Sequence, residues 1–391
     1  MSSPLTLHCS GCDRTYDAWT WRCDCGAPLE FASTPTPADR EPPTSWADTC
    51  AGLWSFDDFL PVDPHVSLGE GLTPLVGAPD WDAQFKLEYV FPTGSFKDRG
   101  ATVTLSVAAE LGVERVVEDS SGNAGAAIAT YAARAGIDAD IYVPSSVKPA
   151  KRRAIERAGA TPVPIDGSRE DVTGACVDAV ESGDAWYASH AWNPAFFAGT
   201  ATFAYEVCAQ REWTAPDAVV TPLGHGTLFL GAYRGFRALR EAGWIDELPR
   251  LLGAQAAGYA PIAAELHGED AAAGSNDVAD GIQIRDPVRK TQILDCIEAT
   301  DGDAIAVPAA AVERERDALH RHGFYVEPTC AVAPAALAAY RERDALHRHG
   351  FYVEPTCAVA PAALAAYRER GVVAPDDDVV VPLTGSGLKT Q

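Results

Sequence analysis

A chain of 391 residues can bury a large core and is expected to divide into two or three domains. Its formal net charge of −24, from 55 Asp plus Glu against 31 Lys plus Arg, argues against nucleic acid and anionic membrane surfaces as partners. No apolar run approaches the roughly 18 residues of a membrane span, and Met1-Ser-Ser-Pro-Leu-Thr6 lacks a signal-peptide core, so a cytoplasmic protein is expected.

Two further consequences follow from composition. In a cytoplasm the ten cysteines are expected to be reduced, which favours metal ligation or catalysis over disulfides. Strong acidity with only six lysines fits a cytosol of very high ionic strength, where self-repulsion is screened. A halophilic protein, more stable in molar than in millimolar salt, is expected.

Residues 1–31 carry Cys9-Ser-Gly-Cys12, ten residues, then Cys23-Asp-Cys25. Two cysteine pairs on a short hairpin-like stretch match a four-thiolate zinc ribbon, in which the metal replaces a core too small to form. Four free thiols are the alternative, and the C-x-C second pair strains the chelate. With all positions filled, such a zinc would be structural. Residues 32–47 read as a stiff, Pro-rich linker.

From about Val113 short β-branched runs alternate with helical stretches. Glu114–Glu118, Ala139–Val143 and Thr161–Ile165 read as strands; Asn123–Ala135 and Lys148–Ala158 read as helices. Ala218–Thr221 and Val379–Leu383 give later strands. The alternation predicts an α/β fold with mostly parallel sheets.

Residues 314–340 recur identically at 341–367. Two identical copies do not make a solenoid. A packed core has room for one, so the other is expected to be an insertion.

Four segments carry candidate chemistry. Lys97 lies in Pro92-Thr93-Gly94-Ser95-Phe96-Lys97-Asp98-Arg99-Gly100. In a chain that defaults to Arg, a retained Lys suggests an amine that can lose its proton and attack a carbonyl. A solvated Lys beside a helix start would look the same. Ser120-Ser121-Gly122-Asn123-Ala124 follows a strand and opens a helix, where free N–H groups and positive potential suit a carboxylate. Gly224-His225-Gly226-Thr227 also follows a strand, and its glycines let backbone N–H groups converge on phosphate oxygens. Thr384-Gly385-Ser386-Gly387 places hydroxyls on a turn after the last strand.

Together and in this order the four resemble the fold-type-II pyridoxal-phosphate enzymes (the tryptophan synthase beta-like superfamily), and the threonine synthase branch most closely. Leu68-Gly69-Glu70-Gly71-Leu72-Thr73-Pro74-Leu75, Lys86-Leu87-Glu88, Ala279-Asp280-Gly281-Ile282 and Glu-Pro-Thr-Cys-Ala (327–331, 354–358) extend the resemblance, as does the N-terminal ribbon. It implies two three-layer α/β domains behind that ribbon: a large cofactor domain from 48–97 and 200–391, and a small one from 98–199. It implies Lys97 as the Schiff-base lysine for pyridoxal 5'-phosphate and Asn123 at the cofactor's phenolic oxygen. The Ser120–Ala124 turn would hold the substrate carboxylate, Gly224–Thr227 the cofactor phosphate, and Thr384 or Ser386 the pyridine nitrogen. A homodimer is the family's habit.

A hydroxyl partner leaves the pyridine a moderate electron sink, which suits elimination from a small amino acid. The substrate is either O-phosphohomoserine or a hydroxy amino acid. Threonine synthases tend to show Thr at the position of Ala124 and Arg at that of Phe196; a phosphate dianion would lose both partners here, with His190, more often a structural residue, as the one available offset. A serine or threonine ammonia-lyase is therefore the first alternative, and a cofactor-binding protein without turnover the second.

Overall fold

The computed structural model describes residues 5–37, 41–42, 51–335 and 377–386. In chain order it contains β1 (Leu7–His8), β2 (Thr15–Tyr16), β3 (Glu30–Phe31), β4 (Leu75–Ala78), β5 (Ala83–Lys86), α1 (Lys97–Glu110), β6 (Arg115–Glu118), α2 (Asn123–Ala135), β7 (Asp138–Pro144), α3 (Pro149–Arg157) and β8 (Thr161–Ile165). Then come α4 (Arg169–Glu181), β9 (Trp186–Tyr187), α5 (Pro194–Gln210), β10 (Ala218–Pro222), α6 (Thr227–Glu241), β11 (Arg250–Ala256), α7 (Pro261–His267), α8 (Lys290–Ala299), β12 (Asp303–Val307), α9 (Ala309–Arg321) and β13 (Val379–Pro382). No helix among the described residues is long and apolar enough to cross a membrane.

Two compact units emerge: a first of Met1–Leu72, Phe91–Glu206 and Glu241–Trp244, and a second of Thr73–Val90, Val207–Arg240 and Ile245–Gln391. In the first, β6 to β9 form a four-stranded parallel sheet in the order β8-β7-β6-β9. Pleating sends successive residues to opposite faces. Val116 and Ile141 enter a core with Leu105 of α1 and Ile128 of α2, while Val117 meets Cys176 of α4. Helices thus cover both faces, which buries a parallel sheet as such sheets require. Ahead of it, β2-β1-β3 form a small antiparallel sheet, the expected ribbon. It packs through Trp19 on Trp186, and through Trp21 on Tyr187 and Trp192.

The second unit holds a six-stranded sheet in the order β12-β11-β10-β13-β5-β4, parallel except for the β4–β5 hairpin at one edge. Val220, Leu252 and Ile305 pack with Val312 and Leu319 of α9 and with residues of the helix 328–335. Their neighbours Val219 and Leu251 are also fully buried.

The units are drawn differently from the domains expected from sequence. Residues 51–72 and 91–97 cluster with the first unit because Leu53 and Trp54 pack on Val103 and Val107 of α1. Residues 73–90 go with the second because β4 and β5 complete its sheet. The first repeat copy, as far as residue 335, is built into the second unit, with Glu315, Leu319, Val326 and Cys330 buried. The second copy lies outside the described residues.

Candidate active site

Lys97 is the first residue of α1, and its flanks are anchored. Asp98 accepts from the Thr93 backbone N–H at 2.8 Å and from the Thr93 hydroxyl. A carboxylate in a helix's first turn also suits the positive end of the dipole. Arg99, fully buried, makes a two-pronged pair with Glu206 at 2.6 and 2.8 Å and lies 4.9 Å over the Phe91 ring. Glu70 takes the Trp54 indole at 3.0 Å, the Thr102 hydroxyl at 2.7 Å and the Tyr131 hydroxyl at 3.2 Å. With these neighbours fixed, the Lys97 chain is only half-buried, its Nζ 4.7 Å from the Phe96 ring centroid and 5.7 Å from that of Phe196. Ser95 Oγ, two residues before Lys97, is buried with no hydrogen-bond partner among the described residues. An unmet hydroxyl there suits a polar ligand.

The Ser120–Ala124 turn lies in the same unit, between β6 and the thirteen-residue α2. Gly122 donates its N–H to Ser120 Oγ at 3.2 Å. A Cβ on Gly125 would lie 1.8 Å from the Ser120 carbonyl oxygen, so only glycine lets the helix start this close to the strand end. Ala124 is buried and adds no hydroxyl. The N–H groups of α2's first turn, which no carbonyl of the helix itself can satisfy, suit a carboxylate.

In the second unit, Gly224-His225-Gly226-Thr227 joins β10 to the fifteen-residue α6. Gly226 has φ +79, and a Cβ there would lie 2.7 Å from Ile293 Cδ1 of α8. Thr221 Oγ1, at the end of β10, is buried without a partner among the described residues. These donors and this helix N-terminus fit a phosphate.

The remaining resemblance motifs converge within that unit. A Cβ on Gly224 would meet Ile282, Gly281 donates to Thr329 Oγ1 at 3.3 Å, and Glu327 donates its N–H to the Gly385 carbonyl at 3.1 Å. Val326 bridges Ser386. Thr384 is nearly buried beside Cys330, whose thiol burial pushes up to about 12. The first repeat copy therefore supports the turn that bears Thr384 and Ser386.

Cys9, Cys12, Cys23 and Cys25 bring their Sγ atoms within 4.8 Å of one another. Tetrahedral zinc–thiolate bonds of about 2.3 Å fit a cluster of that size. The Tyr16 hydroxyl donates to Cys23 Sγ at 3.2 Å and lowers that thiol to about 6, toward the thiolate a metal needs.

Sequence reasoning gave no role to Glu118. It ends β6 fully buried, accepting from His190 Nδ1 at 2.7 Å. An acidic residue directly after the two apolar residues Val116 and Val117, at the strand end that leads into the Ser120–Ala124 turn, was the available signal.

A family model described as "Pyridoxal-phosphate dependent enzyme" matches residues 66–348. A threonine synthase of Methanocaldococcus jannaschii is 32% identical over 84% of this chain and 85% of its own. That of Methanosarcina acetivorans is 32% identical over 73% of each. A fungal L-serine ammonia-lyase from Rhizomucor miehei shares the fold, with TM-score 0.62 and 22% identity over 81% of this chain and 93% of its own. Strand order, motif placement and relatives agree: the chain belongs to the pyridoxal-phosphate dependent enzymes of fold type II.

Proposed function

We propose that the protein is a threonine synthase-like lyase that carries out elimination, or elimination and replacement, on a small amino acid, with Lys97 as its covalent and proton-moving residue. The observation that carries the reading is Lys97 itself, an amine at a helix start whose two following residues are tied down, Asp98 by Thr93 and Arg99 by the buried Glu206. Pyridoxal phosphate, when bound, supplies an electron sink for negative charge at the substrate Cα.

The chain's own residues have the following parts. Gly224–Thr227, at the N-terminal turn of α6, would hold the cofactor phosphate, Asn123 would meet its phenolic oxygen, and Thr384 or Ser386 its pyridine nitrogen. The Ser120–Ala124 turn takes the substrate carboxylate. Lys97 would carry the cofactor, and its Nζ, when free, would be the base for the Cα proton.

A second reading, a serine or threonine ammonia-lyase, has its own support. Phe196 is fully buried in the apolar core beside Gly100, and Ala124 carries no hydroxyl. Neither can hold a phosphate dianion. The test is a substrate panel with the cofactor-loaded protein. Phosphate release from O-phosphohomoserine supports the first reading; ammonia and 2-oxo acid from serine or threonine support the second. Failure of borohydride to fix the cofactor on Lys97 would overturn both.

A further inference from the structure

One acid–base pair, given no part in the proposed chemistry, lies beside Phe196 and so next to Lys97. Glu118 is fully buried and accepts from His190 twice, from Nδ1 at 2.7 Å and from the backbone N–H at 3.3 Å. The His190 ring stands edge-on to Phe196, centroids 6.2 Å apart. The Phe196 ring in turn lies against Gly100, one helical turn from Lys97, and 5.7 Å from Lys97 Nζ. Lys97, Phe196, His190 and Glu118 thus form one contiguous group inside the first unit.

A neutral amide at residue 118 would tie β6 to residue 190 equally well without the cost of burying a carboxylate. That cost makes a role for the charge worth seeking. We propose that Glu118 and His190 act as a positioning pair for Lys97: the pair holds one dissociable proton, and its charge state sets how tightly the Lys97 nitrogen holds its own. The proposal rests on Lys97 being the cofactor-bearing residue.

Burial, then the neighbouring Asp119, pushes the Glu118 carboxyl well above the usual carboxylate range; Lys97, the His190 N–H and Arg169 pull the other way. Cys176 and Tyr187 also face it, and their own ionisation is disfavoured by burial. With its proton the pair is neutral. Without it, the pair presents a buried negative charge to Lys97 and strengthens that residue's hold on a proton. The two titrations are coupled, so Lys97 should lose its proton at a higher pH than it would alone.

The test uses the cofactor-loaded protein. Cyanoborohydride reduces the Lys97–cofactor bond faster when its nitrogen is protonated, so the labelling rate at Lys97, read by peptide mass spectrometry from about pH 6 to about pH 9.5, gives a midpoint for that proton. Glu118→Gln should lower the midpoint by about one pH unit, a roughly tenfold slower reaction above it. His190→Gln should shift it the same way, because an isolated buried Glu118 keeps its own proton, and this variant decides the matter if Glu118→Gln does not fold. Midpoints equal to the wild type's, or a wild-type rate independent of pH, would overturn the proposal even if thermal stability falls. A wild type that takes no label at Lys97 would overturn the underlying reading, and the proposal with it.

Discussion

The ring of Phe196 rests on the backbone of Gly100: a Cβ at residue 100 would lie 2.0 Å from the ring's Cδ1. Phe196 is fully buried and cannot swing aside into solvent. Nearby, a Cβ on Gly199 would lie 2.0 Å from the Arg99 carbonyl oxygen, so α1 and α5 approach each other on two glycines. Gly100→Ala should therefore overpack the site and destabilise the fold by roughly 1–3 kcal/mol. Fixation of the cofactor on Lys97 should fall with it, because residues three apart share a helix face. Adding Phe196→Leu should recover part of both losses, as measured by urea unfolding and borohydride labelling.

Arg99 and Glu206 give a second prediction. Both side chains are fully buried, and their two parallel hydrogen bonds are supplemented by the Thr202 hydroxyl at 2.9 Å from Arg99 Nη1. Glu206→Gln keeps the shape but leaves the guanidinium charge uncompensated. Breaking a buried pair in this way typically costs about 3–5 kcal/mol. Calorimetry should show a correspondingly large drop in Tm; a loss under about 0.5 kcal/mol would mean that another group neutralises Arg99.

The contrast between these pairs and the sequence expectations has a physical basis. The helix read over Asn123–Ala135 and the strand over Thr161–Ile165 have those limits in the structure, because small-residue helices and β-branched strands are governed by neighbours in sequence. The fold class followed from the same local signals. Partnerships such as Arg99 with Glu206, or Glu118 with His190, join residues 107 and 72 apart. No periodicity records them, and only the packing of α1 and β6 on distant segments brings them together. The candidate site stood between these extremes: its motifs were legible, and the contacts of Gly224 with Ile282 and of Glu327 with Gly385 were not.

Glu315 makes stability depend on pH. Burial raises its carboxyl to about 7, with the Trp81 indole N–H donating to it and pulling the other way. A carboxyl whose folded pKa lies above its unfolded value near 4.5 contributes stability below that value. The contribution fades as pH rises through about 7. The span amounts to about 3 kcal/mol. Glu315→Gln should flatten this part of the stability–pH curve and leave the variant relatively more stable at about pH 8. A wild-type curve already flat between about pH 5 and about pH 8 would refute the assignment.

The ribbon is predicted to hold one zinc. Beyond its four thiols, it touches β9 of the four-stranded sheet through the Trp19–Trp186 contact at 5.1 Å and the end of α4 through the Arg22–Glu181 ion pair. Removing the metal should therefore be felt at β9 as well as locally. A strong chelator is expected to release one zinc per chain, alter tryptophan emission and lower Tm by several degrees, with Cys25→Ser mimicking the effect. Elemental analysis showing no bound zinc in freshly purified protein would sink this prediction.

The tandem duplication gives the last one. Leu319, Val326, Cys330, Ala331, Val332 and Ala333 of the first copy are buried in the core of the second unit, and Glu327 meets Gly385 beside Thr384. Among the described residues these seats are filled by the first copy, and a packed core has room for only one set of such side chains. Deleting 27 residues in any register across the duplication yields the same product, so the deletion cannot choose the wrong copy. The shortened chain should keep its cofactor absorbance, and its Tm should equal or exceed that of the full chain, since a shorter connection to β13 loses less entropy on closing. A deletion variant that loses the cofactor or unfolds would show instead that both copies contribute to the second unit.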